Sequence, residues 1–272
     1  MDQVVNHIRA WRVTFSEQGA AVEHEDGGAT IVVNDLVTTT AVARPIPYDS
    51  AGDGESDRSA GAFDIIWLPP TAGSTQDLEK RLETASPDGR PPIRGSLRST
   101  RIVWTDSCAL IAAAADQLDD SIDAVVRFTV AARGMLHLER EMTALWPEID
   151  AAKTLTHSVG RRQLARRRQL DALTERATDL SLEFMTLEKM IEQLDPRIST
   201  GSKRLYAELV LQAAIHDRLE TLADPVDFAD EICERANGRL SEARYARVGF
   251  YMEALIVVAL AAEILAIVFL KV

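Results

Sequence analysis

The sequence predicts an α+β protein: an N-terminal α/β layer, a long-helix, coiled-coil-like domain, and one C-terminal transmembrane helix. Three observations carry this reading. The N-terminal part holds short runs rich in Val, Ile and Thr, punctuated by Gly and Pro. From Cys108 onward helix formers dominate, and Leu170, Leu173, Ala177, Leu180, Phe184, Leu187, Ile191 and Leu194 recur at alternating steps of three and four. The final stretch, Gly249 to Val272, is a nearly unbroken apolar run, long enough as a helix to cross a ~30 Å hydrocarbon core. Three domains follow: residues 1–106 as an α/β domain with a flexible loop at 48–61; residues 107–223 as a helical domain with a heptad helix at 160–195; and residues 224–272 as one continuous helix including a transmembrane segment at 249–270.

Trp11–Phe15, Thr30–Val33 and Leu36–Val42 have strand composition and are bounded by Gly27-Gly28, Pro45 and Pro47. Residues 48–61 are small, polar and acidic, so they have little apolar surface to bury. Phe63–Leu68 is apolar at nearly every position and stops at Pro69-Pro70, the pattern of a buried central strand. Ser74 opens a short helix carrying Leu78, Leu82 and Ala85, which Pro87–Pro92 ends. Arg101–Trp104 reads as a strand, with Thr105, Asp106 and Ser107 offered as N-caps for a helix after it. That helix has an apolar stripe of Ile111, Ala115, Leu118, Ile122 and Val125 and is expected to end near Trp146, before Pro147. The heptad helix ends at Asp195-Pro196, packed within the chain or across an oligomer. Leu205, Leu209, Ile215, Leu219 and Leu222 mark a third helix, stopped at Asp224-Pro225. There Asp224 as N-cap and Pro225 as first helical residue begin the final rod.

Composition narrows the function. The chain has 272 residues, a net charge of -12 and a pI near 4.9, which argues against DNA and general nucleic-acid binding. Two distant cysteines, Cys108 and Cys233, support neither a disulfide framework nor a zinc site and point to a reducing compartment. The N-terminus has neither a signal peptide's apolar core nor the Arg-rich, acid-poor pattern of a transit peptide. Arg239, Arg244 and Arg247 precede the apolar run and Lys271 follows it. The positive-inside rule therefore keeps the body cytoplasmic, as a single-pass, tail-anchored protein of a bacterial inner membrane or an organelle membrane.

Two features could carry chemistry. Glu253 lies at the membrane entry, whereas Glu263 lies well inside the apolar run, where an ionised acid costs at least ~2.5 kcal/mol. Glu263 is expected to be protonated between anchors of an oligomer or to line an ion or proton path. Arg161, Arg162, Arg166, Arg167 and Arg168 crowd the head of the heptad helix, either to contact anionic lipid or RNA phosphate or to pair with acids such as Asp171 and Glu175. Asp119, Asp120 and Asp123 form an acidic turn explained by solvation or helix pairing. His7, His24, His137, His157 and His216 are spaced unlike ligand pairs. No catalytic or phosphate-binding motif occurs, so the expectation is a non-enzyme without metal or cofactor.

The stretch from Arg247 through Glu253 to Glu263-Ile-Leu, a basic residue and an acid before an aliphatic run interrupted by a second acid, resembles the end of the "required for meiotic nuclear division" proteins. Leu205-Tyr206 and Arg218-Leu219 look like the helical segment of that family, although Tyr-Met-Glu stands where it shows Leu-Glu-Trp. The resemblance implies an oligomeric membrane-anchored protein that holds translation machinery, hence a ribosome or other cytoplasmic protein partner, at the membrane. The overall plan is also similar to CorA-type magnesium channels, but the Gly-Met-Asn signature of those channels is absent. The expected function is a membrane-anchored, homo-oligomeric scaffold or tether; the alternative is a channel-like assembly using Glu263.

Overall fold

The computed structural model describes residues 8–17, 31–33, 39–47, 62–69, 90–154 and 167–270. The short helix expected at Ser74–Ala85, the loop at 48–61 and the start of the heptad helix before Arg167 lie outside them. The chain is α+β. Seven strands, β1 (Arg9–Glu17), β2 (Ile31–Val33), β3 (Thr39–Ile46), β4 (Phe63–Leu68), β5 (Ile93–Leu97), β6 (Thr100–Trp104) and β7 (Cys108–Ala112), form one sheet in the order β2-β3-β1-β4-β7-β6-β5. Only the β4–β7 pair is parallel; all other neighbours are antiparallel. Among the described residues four α-helices follow: α1 (Leu118–Lys153), α2 (Arg167–Glu192), α3 (Thr200–Gln212) and α4 (Ile215–Leu270).

β4 is the sheet's central strand, and all six of its residues are buried, which explains its continuous apolar run. Its one charged residue, Asp64, sits opposite Arg12 of β1 and receives that guanidinium at 2.9 and 3.2 Å. Pairing is what makes an aspartate tolerable at 4 % exposure.

The helix expected from Cys108 is instead strand β7. The residues read as helix caps close the β6–β7 hairpin: Thr105 N–H donates to the Cys108 carbonyl at 2.8 Å, and the Thr105 hydroxyl both donates to that carbonyl and accepts the Cys108 N–H. Threonine satisfies both chain ends of the turn, so no helix is needed to use its donors. The next helix begins only after a 3₁₀ turn at Ala115–Gln117. At the other edge, Gly95 of β5 allows close approach of α3, because a Cβ there would lie 2.8 Å from Leu209 Cδ2.

Two of the prolines expected as helix boundaries, Pro147 and Pro225, lie inside helices. α1 passes Pro147 and continues to Lys153, and α4 begins at Ile215 and passes Pro225. Each proline forfeits one backbone hydrogen bond and crowds a carbonyl, costing roughly 3 kcal/mol. Burial on both sides offsets that: Leu145 and Ile149 flank the first proline, Leu222 and Val226 the second. The third helix expected from Leu205 to Leu222 is broken at Ala213-Ala214, where Ala214 takes φ 49° and its N–H bonds back to Leu211. A left-handed residue of this kind ends a helix even without glycine.

The chain divides into two compact units that interleave in sequence: Met1–His137 with Met185–Thr221, and Leu138–Phe184 with Leu222–Val272. In the first, Trp104 stacks near Phe63 of β4 and meets Phe128 of α1 edge-on, with centroids 6.4 and 5.1 Å apart. In the second, Leu170, Leu173, Ala177, Leu180 and Phe184 of α2 are buried, Arg176 bonds Glu148 at 2.8 Å, and Trp146 lies 5.9 Å from Phe228.

Candidate functional site

The feature that most departs from an ordinary soluble fold is the end of α4. Leu240 is the last buried residue among those of α4 whose burial is described; from Arg244 to Glu263 every side chain is exposed. The exposed set includes Phe250, Tyr251, Met252, Leu255, Ile256, Val257, Val258 and Leu260, each more than half accessible. Among the described residues this is the one helix long and apolar enough to cross a membrane by length and composition, and none of its apolar window is buried. Water charges about 25 cal/mol for each Å² of apolar area left exposed, so a face this large calls for an apolar partner. Glu253 and Glu263 are both exposed on this segment. Ten helical steps put them about 80° apart, on neighbouring faces.

The other expected site residues fall elsewhere. Seven of the heptad positions, Leu170, Leu173, Ala177, Leu180, Phe184, Leu187 and Ile191, are buried by this chain itself, while Leu194 lies beyond the helix end and is half-buried. Of the arginine cluster, Arg168 is exposed and Arg167 opens α2, whereas Arg161, Arg162 and Arg166 are outside the described residues.

Within the first unit the acidic turn joins α1 to α3. Asp120 accepts a hydrogen bond from the Ser199 hydroxyl at 2.6 Å, and Ser199 in turn caps α3 by accepting the Ser202 N–H. Asp123 accepts Arg127 Nε at 3.0 Å and the Ser202 hydroxyl. Gly201 fits against Asp120, which stands where a side chain would be. Burial raises the pKa of the nearby Tyr206 phenol, and the positive charge of Arg127 opposes the shift. Sequence reasoning named helix pairing for these aspartates but not their partners, because Ser199 and Ser202 lie 79 residues away and no local spacing links them.

A second polar group surrounds the β6–β7 turn. Arg133 donates to the carbonyls of Ala62 and Asp106 at 3.3 and 3.2 Å and lies over the rings of Phe15 and Phe63. Burial lowers its pKa, and Asp106 counters that. Nearby, Arg90, Trp104, Asp106 and Arg218 line a cavity of about 60 Å³; a larger one, about 260 Å³, lies between Arg98, Asp120 and Arg204. Both cysteines are buried, and burial pushes the Cys233 thiol up to about 11, which keeps it an unreactive thiol at neutral pH. Among the described residues no group of three or more His, Cys, Asp or Glu is arranged to hold a metal ion.

No family model matches the chain, and no curated protein matches it. A solved structure, "structure of the full-length CmaX protein", is similar at a TM-score of 0.36 and 12% identity, covering 79% of this chain and 76% of that one. At that level the likeness assigns neither fold nor function.

Proposed function

We propose that the chain is a membrane-anchored, oligomeric, non-enzymatic tether whose body holds a cytoplasmic partner at a bilayer. The exposed apolar end of α4 carries this reading. Gly249 to Leu270 rises roughly 33 Å, the thickness of a hydrocarbon core with slight tilt. The same helix is built into the packed body through Leu222, Val226, Ile232 and Leu240, so the anchor has no flexible linker. The resemblance to the meiotic nuclear division family makes ribosomes one partner to try.

Glu263 supports self-association. An acid in the hydrocarbon layer is tolerated when it is protonated and hydrogen-bonded to a neighbouring helix. The same exposed carboxylate favours a second reading, an ion-conducting bundle of α4 helices. Mass measurement of the detergent-solubilised full chain distinguishes these. The tether reading expects a multiple of the 29.9 kDa protomer, several-fold weaker association for Glu263→Leu, and no current in planar bilayers. A current altered by Glu263→Gln would install the channel reading instead; a strictly monomeric particle would sink both.

A further inference from the structure

We infer that Arg244, Arg247 and Tyr251 form a binding site for the headgroup of an anionic phospholipid, on the leaflet facing the soluble body. The inference rests on the membrane reading of α4. Taking Arg244 as zero on the helix, Val248, Leu255 and Val258 lie within about 40° of it, Tyr251 within about 20° and Arg247 about 60° away. From the body toward the apolar run, one face therefore reads two cations, a phenol, then aliphatic side chains, all exposed.

Depth fits as well as face. Arg247 and Arg244 stand about 3 and 7.5 Å before Gly249, where the apolar run begins. The interfacial layer of a bilayer is roughly 5–8 Å thick on each side, so both guanidinium groups reach phosphate level. Tyr251, with Phe250 and Tyr245, occupies the aromatic belt just below and within it.

Among the described residues nothing on this face neutralises the arginines. Glu242 and Glu253 lie about 160° and 180° round the helix, and Glu263 about 100°. The third arginine, Arg239, lies on the far side and is already bonded to Glu242 at 3.1 Å. Among the described residues neither Arg244 nor Arg247 has a carboxylate partner. A second parallel copy is a poor occupant, since it would set these arginines against their own counterparts. A free anion would leave Val248, Leu255 and Val258 uncovered. A phospholipid satisfies both ends: phosphate oxygens accept bidentate arginine contacts and the acyl chain covers the aliphatic track.

The test is native mass spectrometry of the full chain in mild detergent, titrated with phosphatidylglycerol or phosphatidylcholine of equal chain length. The wild type is expected to prefer phosphatidylglycerol by roughly 20-fold, and each arginine replaced by glutamine to lose about five-fold of it. Excess inorganic phosphate should leave the preference in place. Equal affinity for the two lipids, an unchanged preference in Arg244→Gln/Arg247→Gln, or disulfide bonding between Arg247→Cys copies in a membrane would each overturn the site. Flotation of the same protein with pure phosphatidylcholine vesicles separates the two claims. Flotation without anionic preference removes the lipid site alone, whereas failure to float removes the membrane reading beneath it.

Discussion

Phe128→Ala is expected to be the most destabilising single truncation, costing about 3–5 kcal/mol and lowering the thermal midpoint by roughly 10 °C. Phe128 is completely buried and meets Trp104 edge-on at 5.1 Å. Trp104 in turn donates its indole N–H to Thr129 Oγ1 at 2.9 Å, and Thr129 bonds back to the Val125 carbonyl. Removing the ring therefore opens a cavity and loosens the aromatic cluster of Phe63, Trp104 and Phe128 that packs α1 on the sheet. Phe128→Leu, which keeps most of the volume, should cost under about 1.5 kcal/mol. Thermal unfolding followed by tryptophan fluorescence checks both. A loss below about 1 kcal/mol for the alanine variant would show that the ring is not a keystone of this interface.

Arg127→Met should cost about 3 kcal/mol, the lower end of the range for breaking a buried ion pair. The lower end applies because the Asp123 side chain keeps 24% of its surface exposed, against 10% for Arg127. Without the guanidinium, Asp123 retains the Ser202 hydroxyl but loses its opposite charge. Adding Asp123→Asn removes the unbalanced charge and keeps an acceptor for Ser202. The double variant should therefore recover most of the loss, a coupling of about 2–3 kcal/mol in a double-mutant cycle. Additive losses would mean that Arg127 acts through packing alone.

Much of the fold was legible because the relevant signals are local. β1, β3 and β4 announce themselves by apolar or β-branched runs punctuated by proline and glycine, β6 by its Ile-Val-Trp run before Thr105-Asp106-Ser107, and the heptad positions of α2 are buried as their spacing implies. What escaped depends on distant partners. Cys108–Ala112 is a strand only because β4 and β6 flank it; its five residues, Cys-Ala-Leu-Ile-Ala, have no period that separates strand from helix. Ile93–Leu97 contains an arginine, a glycine and a serine, so its pairing with β6 leaves little trace in composition. Pro147 and Pro225 read as stops, yet tertiary burial outweighs one lost hydrogen bond at each, while the actual break falls between two alanines. The exposed apolar end of α4 was the most legible functional feature, since length and hydropathy are properties of the run itself. The Asp123–Arg127–Ser202 group was the least, being assembled from α1 and α3 across 79 residues of chain.

Alkaline carbonate extraction of membranes from cells expressing the full chain tests most directly whether α4 is a membrane anchor. The full chain should remain in the membrane pellet, and a chain ending at Val248 should move to the supernatant while keeping the fluorescence of its buried Trp104 and Trp67. Release of the folded full-length protein into the carbonate supernatant would contradict the anchor, and with it the tether and the lipid site.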